Sequence, residues 1–249
     1  MQLADDLAKD IYDAQKMPGK LPAALIDGYA KKFLEALNKN FSTEANGVPD
    51  AEQQAVINDL RLNVYQFAAA KSYTQLKALT EAILDDAGKV RSWSEFKTAA
   101  YQINNEHVVT WLRAEYDNAV VASQMAGKWA TIQSTKKTLP LLKFIAVMDG
   151  HTTYTCRTLN GTVLPADHPF WQKYYLPNHW GERSDIIQLA SGDITPESEI
   201  PSATLQPMFE TNLAEKGMLF PPKHPYFVNA PESVIKQGTN AFKTAFKGK

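Results

Sequence analysis

Along roughly the first 135 residues, apolar positions recur every three to four places, the spacing of one face of an α-helix. In "AALIDGYAKKFLEALNKNF" they fall at Leu25, Tyr29, Phe33 and Leu37, behind a Pro22 suited to a first helical turn. A second stripe runs through Val56, Leu60, Val64 and Phe67 and continues at Leu76, Leu79 and Ile83. Asn46-Gly47 reads as the turn between the two, Pro49-Asp50 as the second start, and Asp86-Ala87-Gly88 as its stop. Ser92 or Ser94 can cap a third long helix, with Val108, Leu112, Tyr116 and Val120 on one side. Its small-residue run "AVVASQMAGKWA" allows close helix approach. Long helices with wide stripes predict a bundle or an antiparallel helical layer.

Near Pro140 the pattern changes. "LLKFIAVMDG" is a short strand-like run ended by Asp-Gly, "TLNGTVLP" reads as a hairpin around Asn160-Gly161, and "RSDIIQLA" is a further strand. "SGDITPESEIPSATLQP" is a polar, proline-punctuated connection, "FPPKHPYF" reads as extended, and a short helix is expected from about Pro231 to Phe246. The expected class is α+β. A helical domain over 1–139 precedes a smaller one over 140–249, which has short antiparallel strands, irregular Pro/aromatic loops and a C-terminal helix.

Composition alters this picture little. The chain has 249 residues, 44% hydrophobic and 21% charged, with 26 basic against 27 acidic side chains and a net charge of −1. That is the balance of a globular protein and gives no electrostatic footprint for a stand-alone nucleic-acid binder. Cys156 is the single cysteine, so no internal disulfide can form and a reducing compartment is expected. The polar, acidic start "MQLADDLAKDIYDAQ" lacks a signal-peptide pattern, and "LPLLKFIAVM" is too short to cross a bilayer, so no membrane association is expected.

Candidate chemistry concentrates in "GTVLPADHPFWQKYYLPNHWGERS", where prolines, histidines and aromatic residues crowd together. A thiol nucleophile would use Cys156 with His151, His168 or His179, but a lone cysteine is more often a small buried apolar residue. Cys156, His168, His179 and Glu182 are ligand-type side chains, with His179 and Glu182 three apart. Zinc usually announces itself by paired short spacings such as C-x2-C, which are absent, so no metal or cofactor is expected. Asp149 and Asp167 could be proposed as a glycosidase-like carboxylate pair, but Asp149 before Gly150 is more simply a turn residue. Arg157 and Arg183 fit a structural role, donating fork-like bonds that organise a loop, better than phosphate binding. No glycine-rich phosphate loop, H-E-x-x-H or G-x-S-x-G occurs. The aromatic segment can instead supply its own small core through Phe170, Trp171, Tyr174, Tyr175 and Trp180.

The order of these residues resembles a known family. Asp149, Cys156-Arg157, Leu159-Asn160-Gly161, Pro165, Asp167, Pro169-Phe170-Trp171, Pro177-Asn178, Trp180-Gly181 and Arg183 match the signature of the phage Mu F-like (MuF) head-morphogenesis domain, and His179 stands within it. The helical segments "LNVYQFAAAKSYTQLKAL" and "WLRAEYDNAVVASQMAGKW" are also similar to the region preceding that domain. Many members carry cysteines flanking the final arginine where this chain has Glu182 and Ser184, and one proline of the usual pair is Leu176. The resemblance implies a non-enzymatic minor capsid protein of a phage or prophage. It would act in head morphogenesis with the portal protein and other capsid proteins, with packaged DNA as a further contact. Its implied location is the host cytoplasm during assembly and then the virion head. Two other readings stay open: a metal-dependent or thiol hydrolase centred on Cys156, His168 and His179, and an effector or toxin carrier that keeps only the MuF scaffold.

Overall fold

The first stripe forms the helix it predicts. In a computed structural model, which describes residues 2–41 and 51–247, Leu25, Tyr29, Phe33 and Leu37 are all buried on one face of helix α2 (Ala23–Asn40). It follows α1 (Gln2–Ala14) and precedes α3 (Ala51–Glu81), on which Leu60, Val64, Phe67, Leu76 and Leu79 are buried. Asn46-Gly47 and Pro49-Asp50 lie outside the described residues. The chain then runs α4 (Trp93–Asn105), a π-helical segment (Glu106–Thr110), α5 (Trp111–Thr135), β1 (Leu141–Ile145), α6 (Tyr154–Leu159), β2 (Val163–Pro165), α7 (Phe170–Tyr174), β3 (Asp185–Leu189), α8 (Pro225–Asn229) and α9 (Glu232–Ala245). Helices dominate and the strands form one small antiparallel sheet, so the class is α+β. Among the described residues, no helix is long and apolar enough to cross a membrane.

Contacts divide the chain into two compact units: residues 1–34, 61–116 and 224–249, and residues 35–60 and 117–223. Three of these boundaries fall inside α2, α3 and α5 and the fourth just before α8, whereas the change of sequence texture falls near Pro140.

In the first unit, Phe33 and Phe67 meet edge-to-face at 5.5 Å. Ser92 starts α4 with a capping box: its hydroxyl accepts the Glu95 amide, and the Glu95 carboxylate accepts the Ser92 amide at 2.8 Å. On α9, Gly238 lies against the α3 backbone so closely that a Cβ there would stand 2.6 Å from the Tyr65 carbonyl oxygen.

The core of this unit is partly polar. Lys71, fully buried, is 2.9 Å from the carboxylate of Glu115, which also accepts the Tyr226 hydroxyl at 2.9 Å. The Lys71 ammonium lies over the rings of Tyr29 and Tyr226, at 4.9 and 5.3 Å. Tyr29 donates to Gln75, which donates to Asn104. Burial, with Lys71 nearby, pushes the imidazoles of His107 and His224 down to about 3 and about 4.

The third helix differs from its expected stripe. It is interrupted by the π segment, Val108 is exposed, and Leu112, Tyr116 and Val120 are only half-buried. The buried face is Asn104, His107 and Glu115 in the first unit, and Asn118, Ala119, Ala122 and Ser123 in the second. A π turn carries an extra residue and shifts the register, and the side chains facing in are polar or small, so hydrophobic periodicity tracks the wrong face.

The second unit holds the sheet, ordered β2-β1-β3 with both pairs antiparallel. Leu142 faces Leu164 and Gln188 across the register, Phe144 faces Ile186, and Leu142 and Phe144 are fully buried. The hairpin expected around Asn160-Gly161 is instead a helix-to-strand turn. Thr153 caps α6 by accepting the Cys156 amide, so "TL" closes a helix and β2 pairs back onto β1. Similarly, "FPPKHPYF" is not wholly extended: α8 starts at its Pro225 behind a His224 cap.

Candidate functional site

Three stretches of the second unit converge on one pocket: the turn after β1, the first turn of α6 and the loop before β3. Asp149 caps its turn by accepting the His151 amide at 2.9 Å. Both its carboxylate oxygens receive the Arg183 guanidinium, at 2.7 Å each. That fork, with the His151 amide, holds the Asp149 carboxyl well below the usual range. Arg183 thus organises the loop as the sequence suggests, but through a carboxylate and from an exposed position. Arg157 is exposed as well.

Cys156 lies inside the pocket, 3% exposed, with Sγ 3.1 Å from Nε2 of His179. The other ring nitrogen, Nδ1, is 2.8 Å from the Trp180 carbonyl oxygen, and only as a donor can it pair there. In the ring's neutral form the lone pair therefore sits on Nε2. Next to Cys156, the imidazole is pushed up to about 9.

Gly181, at φ 71°, turns the chain so that Glu182 points back inward. Its buried carboxylate accepts the amides of Arg183 and Ser184 at 2.9 Å and of Asn178 at 3.4 Å. Glu182 reaches to 3.5 Å from Sγ and 3.6 Å from His179 Nε2. The pocket they line has a volume of about 220 Å³.

The remaining signature residues frame this loop. Trp171, fully buried on α7, donates its indole N–H to the Pro165 carbonyl at 3.0 Å and meets Phe170 edge-on at 4.9 Å. Asn178, buried, donates to the Tyr174 carbonyl at 3.1 Å. Tyr175, also fully buried, donates to Met125 and packs on Trp129. Trp180 is half-buried against Phe209. Gly161 takes φ 86° in the turn into β2.

Two of the proposed site residues stay outside the cluster. His168 accepts the Phe170 amide through Nδ1, with Nε2 3.7 Å from Glu197. Asp167 is exposed and pairs with Lys136, so Asp149 and Asp167 each have a separate basic partner.

Sulfur, nitrogen and oxygen donors thus face a common point. In a Cys–His nucleophile site, the third residue holds the nitrogen remote from sulfur. Here Glu182 approaches the same nitrogen as Cys156, and a carbonyl holds the other. Sequence spacing paired His179 with Glu182 but could not bring Cys156 to them. Thr153, the cap that orients Cys156, carried no signal beyond its place before "YTC".

Over parts of its length the chain is similar to two curated proteins. It is 35% identical over 66 residues to "Putative capsid assembly protein F" of Escherichia phage Mu, covering 26% of this chain and 15% of that protein. It is 30% identical over 70 residues to "Mu-like prophage FluMu F protein" of Haemophilus influenzae, covering 28% of this chain and 17% of that one. The aligned region spans less than a fifth of either relative. No family model and no solved structure matches the chain.

Proposed function

We propose that this chain is a head-assembly protein of a tailed phage or prophage, acting as a structural component and not as an enzyme. The observation that carries the reading is its similarity to a phage protein named for capsid assembly and to that protein's prophage counterpart. The signature residues of the loop fit a structural part: Asp149 with Arg183, Trp171 with Pro165 and Asn178 with Tyr174 each tie one segment to another. Exposed Val147, Met148 and Tyr154, around the Asp149 turn, offer apolar surface to a protein partner. The partners are the portal protein and neighbouring capsid proteins, with packaged DNA a further contact in the particle. The protein acts first in the host cytoplasm and then in the head. Mass spectrometry of purified particles, and co-purification with the portal protein from infected or induced cells, test this. The expected outcome is recovery in at least one, and consistent absence from both sinks the proposal.

A thiol hydrolase is the second reading, favoured by the 3.1 Å approach of Cys156 to His179. Cys156→Ala separates the two: full particle assembly by the variant excludes a thiol nucleophile in assembly, and its loss with the fold intact supports one.

A further inference from the structure

We propose that Cys156, His179 and Glu182 bind a zinc ion, which ties the first turn of α6 to the loop before β3. The inference stands apart from the head-assembly reading and departs from the sequence expectation of no metal.

The donor geometry is the first support. Usual zinc bond lengths to sulfur, nitrogen and oxygen, set at tetrahedral angles, place the three donors roughly 3.4–3.6 Å from one another. In the protein the edges are 3.1 Å between Sγ and Nε2, 3.6 Å between Nε2 and Oε2 of Glu182, and 3.7 Å between Sγ and that same oxygen. All three donor atoms lie within 4.8 Å of one another. A slight opening of the sulfur–nitrogen edge completes one face of a tetrahedron.

The supporting bonds are the second. A metal-binding histidine typically donates its other ring N–H to a carbonyl or carboxylate, which fixes tautomer and ring orientation. His179 has that partner in the Trp180 carbonyl, 2.8 Å from Nδ1. Glu182 is likewise held: two backbone amides on one of its oxygens fix the carboxylate before any ion arrives. The Thr153 hydroxyl, which caps the Cys156 amide, stands 3.2 Å from His179 Nε2, so the α6 cap and the ligand histidine are already neighbours.

Charge and softness choose the ion. A thiolate and an imidazole favour zinc over calcium or magnesium, which want oxygen ligands. One dication balances a buried thiolate and a buried carboxylate, while Arg183 is already matched by Asp149. Three protein ligands leave a fourth position on the pocket side, where water completes the shell.

Cobalt(II) and zinc added to untagged, chelator-stripped protein test the site, with circular dichroism to follow the fold. The expected result is about one equivalent of either ion bound, with a sulfur-to-cobalt charge-transfer band and tetrahedral d–d absorption for cobalt. Zinc is expected to slow alkylation of Cys156 by iodoacetamide. Cys156→Ser abolishes the charge-transfer band, and Glu182→Gln weakens zinc binding by about ten-fold or more. Failure of the folded wild-type chain to take up either ion overturns the proposal without any variant. Undiminished uptake by both variants overturns it as well, since the ion then sits elsewhere. None of these results depends on whether the protein is found in particles.

Discussion

Trp171 and Trp180 belong to the same aromatic loop but not to the same environment. Trp171 is fully enclosed and its indole N–H is satisfied, whereas Trp180 is half-buried against Phe209. Trp171→Ala is expected to cost about 3–5 kcal/mol of stability, from lost burial and the cavity left behind. Trp180→Ala is expected to cost about 1–2 kcal/mol, and urea unfolding of the two variants measures the difference. From the sequence both are expected in the core, because composition shows that a tryptophan is present and not how much of it is covered. Lys71 was illegible for the opposite reason. In "FAAAKSY" it reads as a solvated lysine, yet it is fully buried against Glu115, contributed from another helix 44 residues away. Lys71→Met leaves a carboxylate buried without its cation and is expected to destabilise by about 3–5 kcal/mol. Adding Glu115→Leu removes the orphaned charge and is expected to restore most of that loss, so denaturant midpoints should show strong non-additivity.

At the scale of elements, the periodic segments were the legible ones. The i, i+4 stripe of α2, the strands β1 and β3, and the final helix α9 all lie where apolar spacing and prolines put them. Spacing failed where a local bond or an unusual turn decided the outcome. The Thr153 cap makes a helix of a proposed strand, and the π segment rotates the face of the third helix. In the candidate site, His179 and Glu182 were neighbours by sequence alone, but the approach of Cys156 is set by the tertiary fold. Glycines separate propensity from packing. Alanine in a helix is favoured over glycine by about 1 kcal/mol. Gly28 on α2 has open space at its Cβ position, so Gly28→Ala should stabilise by up to about 1 kcal/mol. At Gly238 the same methyl would meet the Tyr65 carbonyl at 2.6 Å and the Gln66 Cα at 2.8 Å. Gly238→Ala is therefore expected to destabilise by about 1–3 kcal/mol despite the better propensity. Thermal melts of the two variants should move in opposite directions.

For the whole molecule, acid should act through the polar core of the first unit. His107 and His224 stay neutral in the folded state down to about 3 and about 4, whereas in the unfolded chain each takes a proton near pH 6.5. Between those values the unfolded state binds more protons, so stability falls as pH falls from about 6.5 toward 4. Each histidine contributes a slope of up to about 1.4 kcal/mol per pH unit. Glu115, whose carboxyl burial pushes up against the attraction of Lys71, partly offsets this by taking a proton in the folded state first. Urea unfolding at a series of pH values should show the decline, and His224→Gln should make it shallower.

The segmented make-up of the first unit has a consequence for synthesis. Residues 1–34 and 61–116 must find residues 224–249, and the amide of Leu21 pairs with Gln237, 216 positions later. At ordinary elongation rates, roughly ten seconds separate translation of residue 116 from translation of that last segment. Residues 117–223 of the second unit are made in that interval and its residues 35–60 before it, so its sequence is complete first. Until α9 emerges, the side of α3 that receives Gly238 stays uncovered by it, so this part of the first unit can complete its packing only after the second unit's sequence has been made.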